Sequence, residues 1–171
     1  MAAPPGSVFS YSNTGMTLLG HAVEVAAEGD FVSYAYEKLF APMDMDDTSF
    51  VVKKDTTHHL SRGYRGREEQ ELWNLQQLPA GSLYTSVLDL SRFIQTVFAD
   101  GGEVLGEDSI TAMLTRQNSH VPLDFDFEVG LGWMLLWQPL AYGGATAWHS
   151  GGTENFFSQL IILPEQKLGV V

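Results

Sequence analysis

The 171-residue chain carries 21 acidic side chains against 9 basic ones, a formal charge of −12. Nucleic acid and anionic membrane surfaces are bound by clustered Lys and Arg, so this balance argues against both as partners. With 44% hydrophobic residues the composition suits one globular domain, long enough to bury roughly two-thirds of the surface its unfolded form exposes.

The absence of cysteine excludes disulfides, thiolate catalysis and cysteine-ligated metals. No apolar run approaches the roughly 18 residues of a membrane span. Met1-Ala2-Ala3-Pro4-Pro5-Gly6 has neither the basic nor the apolar region of a signal peptide. Localisation is therefore unknown from sequence: cytoplasmic, or periplasmic or secreted if a leader was removed.

Pro4-Pro5-Gly6 is a stiff, turn-prone start, and Val8-Phe9 suits a short extended piece. Met16, Leu19, Ala22, Val23 and Ala26 recur at helical spacing over 14–28, with Asn13 or Thr14 suited to cap that helix and Gly29 to stop it. A second helix is expected over 31–40, using Phe31, Tyr34, Ala35, Leu39 and Phe40, and ended by Pro42. Residues 49–52 suit a short strand or an extended stretch. Residues 53–71 show little period and read as a surface excursion, in which His58 and His59 lack a third ligand and read as solvated rather than as a metal site.

After the turn-rich stretch 78–83, Ser86 and Asp89 form the outline of a capping box. Leu90, Phe93, Ile94, Val97 and Phe98 make the buried stripe of the helix that follows. A shorter helix is expected over 108–116. Asp124, Asp126 and Glu128 alternate and read as the solvated side of an edge, with cation binding the lesser alternative. From 129 the character changes: strands are expected over 129–137, 145–150 and 156–163, with a Gly143-Gly144 hairpin turn, a turn over 164–167 and a further strand from Leu168. Helices first and an antiparallel meander afterwards define an α+β chain, helices packed on an antiparallel sheet.

Two stretches carry chemistry. Ser10-Tyr11-Ser12-Asn13-Thr14-Gly15 presents a phenol and a carboxamide at a helix entrance, where they can relay a proton and hold an amide or ester carbonyl. Trp148-His149-Ser150-Gly151-Gly152-Thr153 places an imidazole before small residues at a strand end, where a substrate can lie against the backbone and the Gly152 N–H can meet a developing oxyanion.

These motifs lie in an order that resembles the serine β-lactamase and penicillin-binding-protein-like family, the branch of class C β-lactamases, D-alanyl-D-alanine peptidases and related esterases. Pro5 to Gly15 followed by Leu18-Leu19-Gly20 looks like the family's second motif and its helix. Phe40-Ala41-Pro42-Met43 through Phe50, Pro79-Ala80-Gly81-Ser82-Leu83-Tyr84-Thr85-Ser86 with Asp89-Leu90, and His149-Ser150-Gly151-Gly152-Thr153 extend the match over nearly the whole chain. The last motif has His where many members carry Lys.

The resemblance implies Tyr11 and His149 as catalytic residues: Tyr11 the proton-relay phenol, His149 an aid in binding the substrate's carbonyl or carboxylate end. Asn13, Ser150, Gly151 and Gly152 are implied as substrate-binding, with Asn13 on the substrate's amide side chain and Gly152 supplying one oxyanion N–H. It implies no cofactor and no metal, and a small ester, amide or β-lactam as substrate. The chain departs from the family in one respect: none of its serines has a lysine three residues later, so the Ser-x-x-Lys nucleophile is missing. Only ten residues precede Tyr11, and the chain stops within an expected strand. It therefore reads as a single partial domain over 1–171, lacking an N-terminal nucleophile segment and a C-terminal strand and helix. The expected function is that of a serine hydrolase working through an acyl-enzyme whose nucleophile lies outside this chain; the alternative is a non-catalytic or partner-dependent module that keeps the cleft. An uncovered sheet edge implies self-association or strand exchange.

Overall fold

The computed structural model describes residues 3–52, 59–71 and 77–171. Helices and antiparallel strands share the chain, as expected for α+β. The described residues gather into two compact units, one of residues 3–11, 93–150 and 159–171, the other of residues 12–52, 59–71, 77–92 and 151–158.

In the second unit α1 runs Asn13–Ala27. Its cap is Ser12, whose side chain accepts the Gly15 N–H at 3.0 Å, so neither Asn13 nor Thr14 serves as the cap. Glu28, not Gly29, takes the left-handed conformation that ends the helix, at φ 53°. Both the Glu28 and Gly29 N–H groups reach the Glu24 carbonyl, which offsets the cost of about 1 kcal/mol for a side chain in that region. Gly20 is the buried residue of α1. An added Cβ there would lie 2.2 Å from Pro79 Cγ, so the glycine is what lets α1 approach the short helix α3, Leu78–Gly81.

The expected helix over 31–40 changes its turn part-way. α2 covers Phe31–Ala35, Tyr36–Phe40 is a π-helical turn, and Ala41–Met43 closes as a 3₁₀ turn. Widening the turn alters the side-chain period. Ala35 and Phe40 are buried as expected, whereas Tyr34 is exposed. Asp30 caps α2 by accepting the Ser33 N–H at 2.9 Å, and that bond holds its carboxyl below the usual range. Phe50 packs between Phe31 and Phe40, with ring centroids 4.9 Å and 5.7 Å away. The strand expected over 49–52 reduces to one antiparallel bridge between Ser49 and Tyr84.

Within 53–71, residues 53–58, including His58, lie outside the described residues. The later part is not a featureless excursion. β1, Gly63–Arg65, pairs antiparallel with β2, Glu68–Gln70. Polar side chains on both faces hide this hairpin from any hydrophobic period, and Gly66 at φ 66° supplies the turn.

α4 spans Val87–Phe98. Ser86 caps it by accepting the Asp89 N–H at 3.1 Å, but the Asp89 carboxylate does not complete a capping box. It is fully buried, and its Oδ2 accepts from the Asp47 N–H (2.9 Å) and the Thr48 hydroxyl (2.8 Å). Its Oδ1 accepts from Arg92 at 2.7 Å, and the same Arg92 nitrogen donates to the Asp44 carbonyl at 2.6 Å. A side chain expected to serve its own helix instead ties that helix to the turn at 44–48.

In the first unit Ile94, Val97, Ile110, Trp133, Leu135, Ala147 and Ile162 form the core. Phe93 stacks on Trp133 at 6.2 Å with 8° between the rings. α5 covers Glu107–Leu114. The single strand expected over 129–137 is two: β3, Glu128–Val129, folds back on β4, Met134–Leu135. The reason lies at the glycines. Gly132 adopts φ 81°, and a Cβ on Gly130 would sit 2.0 Å from the Met113 carbonyl oxygen, so 130–133 turns rather than extends. β5 (Ala147–Gly152), β6 (Phe157–Leu163) and β7 (Leu168–Val170) complete a five-stranded sheet of order β3-β4-β5-β6-β7. The expected Gly143-Gly144 hairpin is a 3₁₀ segment, Gln138–Gly143, released by Gly144 at φ 90°.

Asp124 overturns the reading of 124–128 as a solvated edge. Residues 122–126 form turns rather than a strand, so the alternation has no face to define. Asp124 is buried, Asp126 is exposed, and Glu128 pairs with Arg116 at 3.2 Å.

The Asp89 cluster gives a direct test. Asp89→Ala removes the shared acceptor of the Asp47 N–H, the Thr48 hydroxyl and the half-exposed Arg92, and should lower stability by about 2 kcal/mol. Urea unfolding followed by circular dichroism measures it, and a loss below about 1 kcal/mol would show the cluster to be dispensable.

Candidate active site

The expected site residues fall on two short stretches. Tyr11 ends the first segment of the first unit, immediately before the cap of α1, and is 54% exposed. His149 and Ser150 lie on β5 in the same unit, His149 half-buried and Ser150 exposed. The structure brings Tyr11 and His149 together, with ring centroids 6.1 Å apart and planes tilted by 41°. Asn13, Gly151 and Gly152 belong to the second unit. Asn13 opens α1, where its carbonyl accepts the Thr17 hydroxyl at 2.9 Å.

The stretch His149-Ser150-Gly151-Gly152 closes a strand, as expected. All four residues are strand, and the chain turns only afterwards, where the Thr153 N–H donates to the Phe156 carbonyl at 2.9 Å. The two glycines meet different surroundings. A Cβ on Gly151 would lie 2.5 Å from Ser158 Oγ, whereas one on Gly152 would find nothing nearer than Phe157 at 3.8 Å. A side chain at Gly151 would thus crowd the Ser158 hydroxyl, whereas one at Gly152 would make only ordinary contact with the Phe157 ring. On the other side of the His149 backbone, Gln159 donates to its carbonyl at 3.3 Å, and Trp148 packs on Trp137 at 5.3 Å.

Of two buried polar residues next to the segment that leads to Tyr11, Asn118 escaped the sequence reading and Asp124 was read as solvated. Asn118 and Asp124 are both buried. Asp124 Oδ1 accepts the Phe9 N–H at 2.5 Å, two residues before Tyr11, and Oδ2 accepts from Asn118 Nδ2 at 2.6 Å. In sequence both are ordinary turn formers, and nothing local marks them as buried.

A phenol beside an imidazole, with small residues following on the same strand, suits the binding and polarisation of a carbonyl and the movement of a proton. The Beta-lactamase family model matches residues 1–171, and the chain belongs to that family of serine hydrolases. Among curated relatives it is 25% identical to Protein flp of Staphylococcus aureus, over 98% of this chain and 33% of that protein. It is 24% identical to the unguisins hydrolase ungD' of Aspergillus campestris, over 99% of this chain and 34% of the relative. Of solved structures, the octameric penicillin-binding protein homologue from Pyrococcus abyssi superposes with a TM-score of 0.80 at 23% identity, over 98% of this chain and 39% of the other. The β-lactamase/D-alanine carboxypeptidase of Yersinia pestis gives 0.77 at 22% identity, over 98% and 49%. The fold is thus the β-lactamase-like one, and the chain spans about a third of the length of the curated relatives it matches.

The glycine geometry makes a paired prediction. Gly151→Val should displace Ser158 and lower the midpoint of thermal unfolding by several degrees, roughly what 1–3 kcal/mol of overpacking produces. Gly152→Ala should shift it by no more than about 1 °C. Equal shifts in differential scanning fluorimetry would mean that the close approach at Gly151 is not what the strand depends on.

Proposed function

We propose that this chain is the part of a serine hydrolase that binds substrate and relays the proton, acting on ester, amide or β-lactam carbonyls through an acyl-enzyme. The observation that carries this reading is the Tyr11–His149 pairing, two residues 138 positions apart whose rings lie 6.1 Å apart. In the proposed reaction a serine oxygen attacks the substrate carbonyl, and the oxygen of the tetrahedral adduct carries the developing negative charge. The Gly152 N–H donates to that oxygen, a second N–H coming from the nucleophile's own backbone. The Tyr11 phenol carries the proton from the attacking hydroxyl to the departing amine or alcohol. The bond to the leaving group then breaks, and water hydrolyses the acyl ester by the reverse proton path. Asn13 holds the amide side chain of the substrate. His149, with Ser150 and Gly151 beside it, receives the carbonyl or carboxylate end.

His149 in place of Lys tilts the reading from β-lactams toward esters or peptides, because an imidazole is a weaker partner than an ammonium for the β-lactam carboxylate. No serine of the chain stands three residues before a lysine, so the reading assigns the nucleophile to polypeptide outside it. The chain alone should therefore form no covalent adduct. Incubation of the 171 residues with a fluorophosphonate and a fluorescent penicillin, read by intact mass, should leave the mass unchanged with either reagent. A stoichiometric adduct on one serine would place the nucleophile within the chain.

The same reading includes self-association through the sheet. β7 is the last strand of the sheet order and is exposed along its length, with Leu168 at 59% and Val170 at 63%. An open strand edge of this kind pairs readily with a second copy. Sedimentation velocity should show a concentration-dependent dimer or higher species. A monodisperse monomer at high micromolar concentration would rule this out.

A further inference from the structure

We infer that Asp124 is a positioning residue for Tyr11. The inference rests on reading Tyr11 as the proton-relay phenol. It starts from a local fact: Tyr11 belongs to no helix or strand and is half-exposed, so its own surroundings do little to fix it. A relay group needs a fixed position, since an error of an ångström in the reacting geometry costs about a hundredfold in rate. Something outside residues 9–11 has to supply the restraint.

Asp124 does so through the backbone. Its Oδ1 accepts the Phe9 N–H at 2.5 Å, and its Oδ2 accepts from Asn118 Nδ2 at 2.6 Å. Asn118 is anchored in turn: its Nδ2 also donates to the Phe127 carbonyl at 2.7 Å, and its Oδ1 accepts the Val129 N–H at 3.1 Å, on β3. Two further contacts run parallel. The Leu123 N–H donates to the Ser7 carbonyl at 3.3 Å, and the Phe9 ring packs on Phe127 at 5.4 Å. The segment before Tyr11 is therefore bonded to the 118–129 loop at Ser7 and again at Phe9, and the loop is bonded to the sheet that carries His149 on β5.

The chemistry requires a carboxylate. Both oxygens of Asp124 accept, one from each side, and an amide offers a single acceptor oxygen. Asp124→Asn would turn an N–H toward either Phe9 or Asn118, leaving one buried donor facing another.

The experiment uses the 171-residue chain with 3-fluorotyrosine incorporated, the Tyr11 resonance being assigned by its loss in Tyr11→Phe. In the parent chain the Phe9 amide should exchange slowly, and Tyr11 ring protons should show a nuclear Overhauser contact to His149. In both Asp124→Asn and Asp124→Ala, exchange at Phe9 should accelerate at least about tenfold, the Tyr11 fluorine resonance should move to the free-tyrosine position, and the contact to His149 should vanish. Amide protection at Ile94 and Ile162, in the core of the same unit, should persist. A merely structural role would lower the unfolding temperature and leave the Tyr11 signature intact in the folded population; that result overturns the inference. Should the Asp124 variants not fold, replacing the Phe9 amide by an ester through segment ligation removes that one donor, and an unchanged Tyr11 signature there is equally decisive. The readout needs no turnover. Unimpaired acylation by Tyr11→Phe in a chain that also carries the Ser-x-x-Lys segment would refute the relay role alone, whereas an undisturbed Tyr11–His149 contact refutes the positioning role alone.

Discussion

A carboxylate removed from water must find its donors within the chain, and this requirement organises each unit of the structure. Asp89 is fully buried, and both of its oxygens are occupied by groups 3 to 42 residues away. Asp124, 6% exposed, is held in the same manner by Phe9 and Asn118. Breaking such a cluster is costly because it leaves charge and donors uncompensated. Each cluster consequently fixes segments that have no regular structure of their own: the turn at 44–48 in one case, the stretch leading to Tyr11 in the other.

Close approach is the second constraint, and glycine sets it. Gly20 against Pro79, Gly130 against the Met113 carbonyl and Gly151 against Ser158 are positions where an added methyl would sit 2.5 Å or less from another atom. At Gly130 the consequence is topological, since a run of apolar residues that reads as one strand folds into a hairpin. At Gly151 it bears on the site, because it lets strand β5 continue beyond His149 with neighbouring atoms close against its backbone.

Membership of the β-lactamase family rests on a match over the whole chain, and the motifs that carry it were legible as short polar strings in a fixed order. Tyr11-Ser12-Asn13 and His149-Ser150-Gly151 each admit a bland reading in isolation: helix cap in one case, strand end in the other. Their joint occurrence pointed to chemistry, and the 6.1 Å approach of Tyr11 to His149 accords with it. Asn118 and Asp124 carried no such string. Their significance comes from partners 115 and 6 residues distant, and sequence spacing of that kind has no local signature.

By itself the sequence determined the α+β class, a helix over about 14–28 and another after Ser86, the core positions Ile94, Val97 and Ala35, and the two motifs, because each of these follows from local period or local chemistry. Tertiary structure alone decided where polar side chains spend their hydrogen bonds. It turned Asp89 from a capping-box partner into a hub and sent Asp124 inward from an apparent edge. It also decided where the strand after 128 breaks, at Gly130 to Trp133. The physical reason is common to all of these: the free energy of a buried polar atom or a tight glycine contact depends on the group opposite, and that group lies elsewhere in the chain.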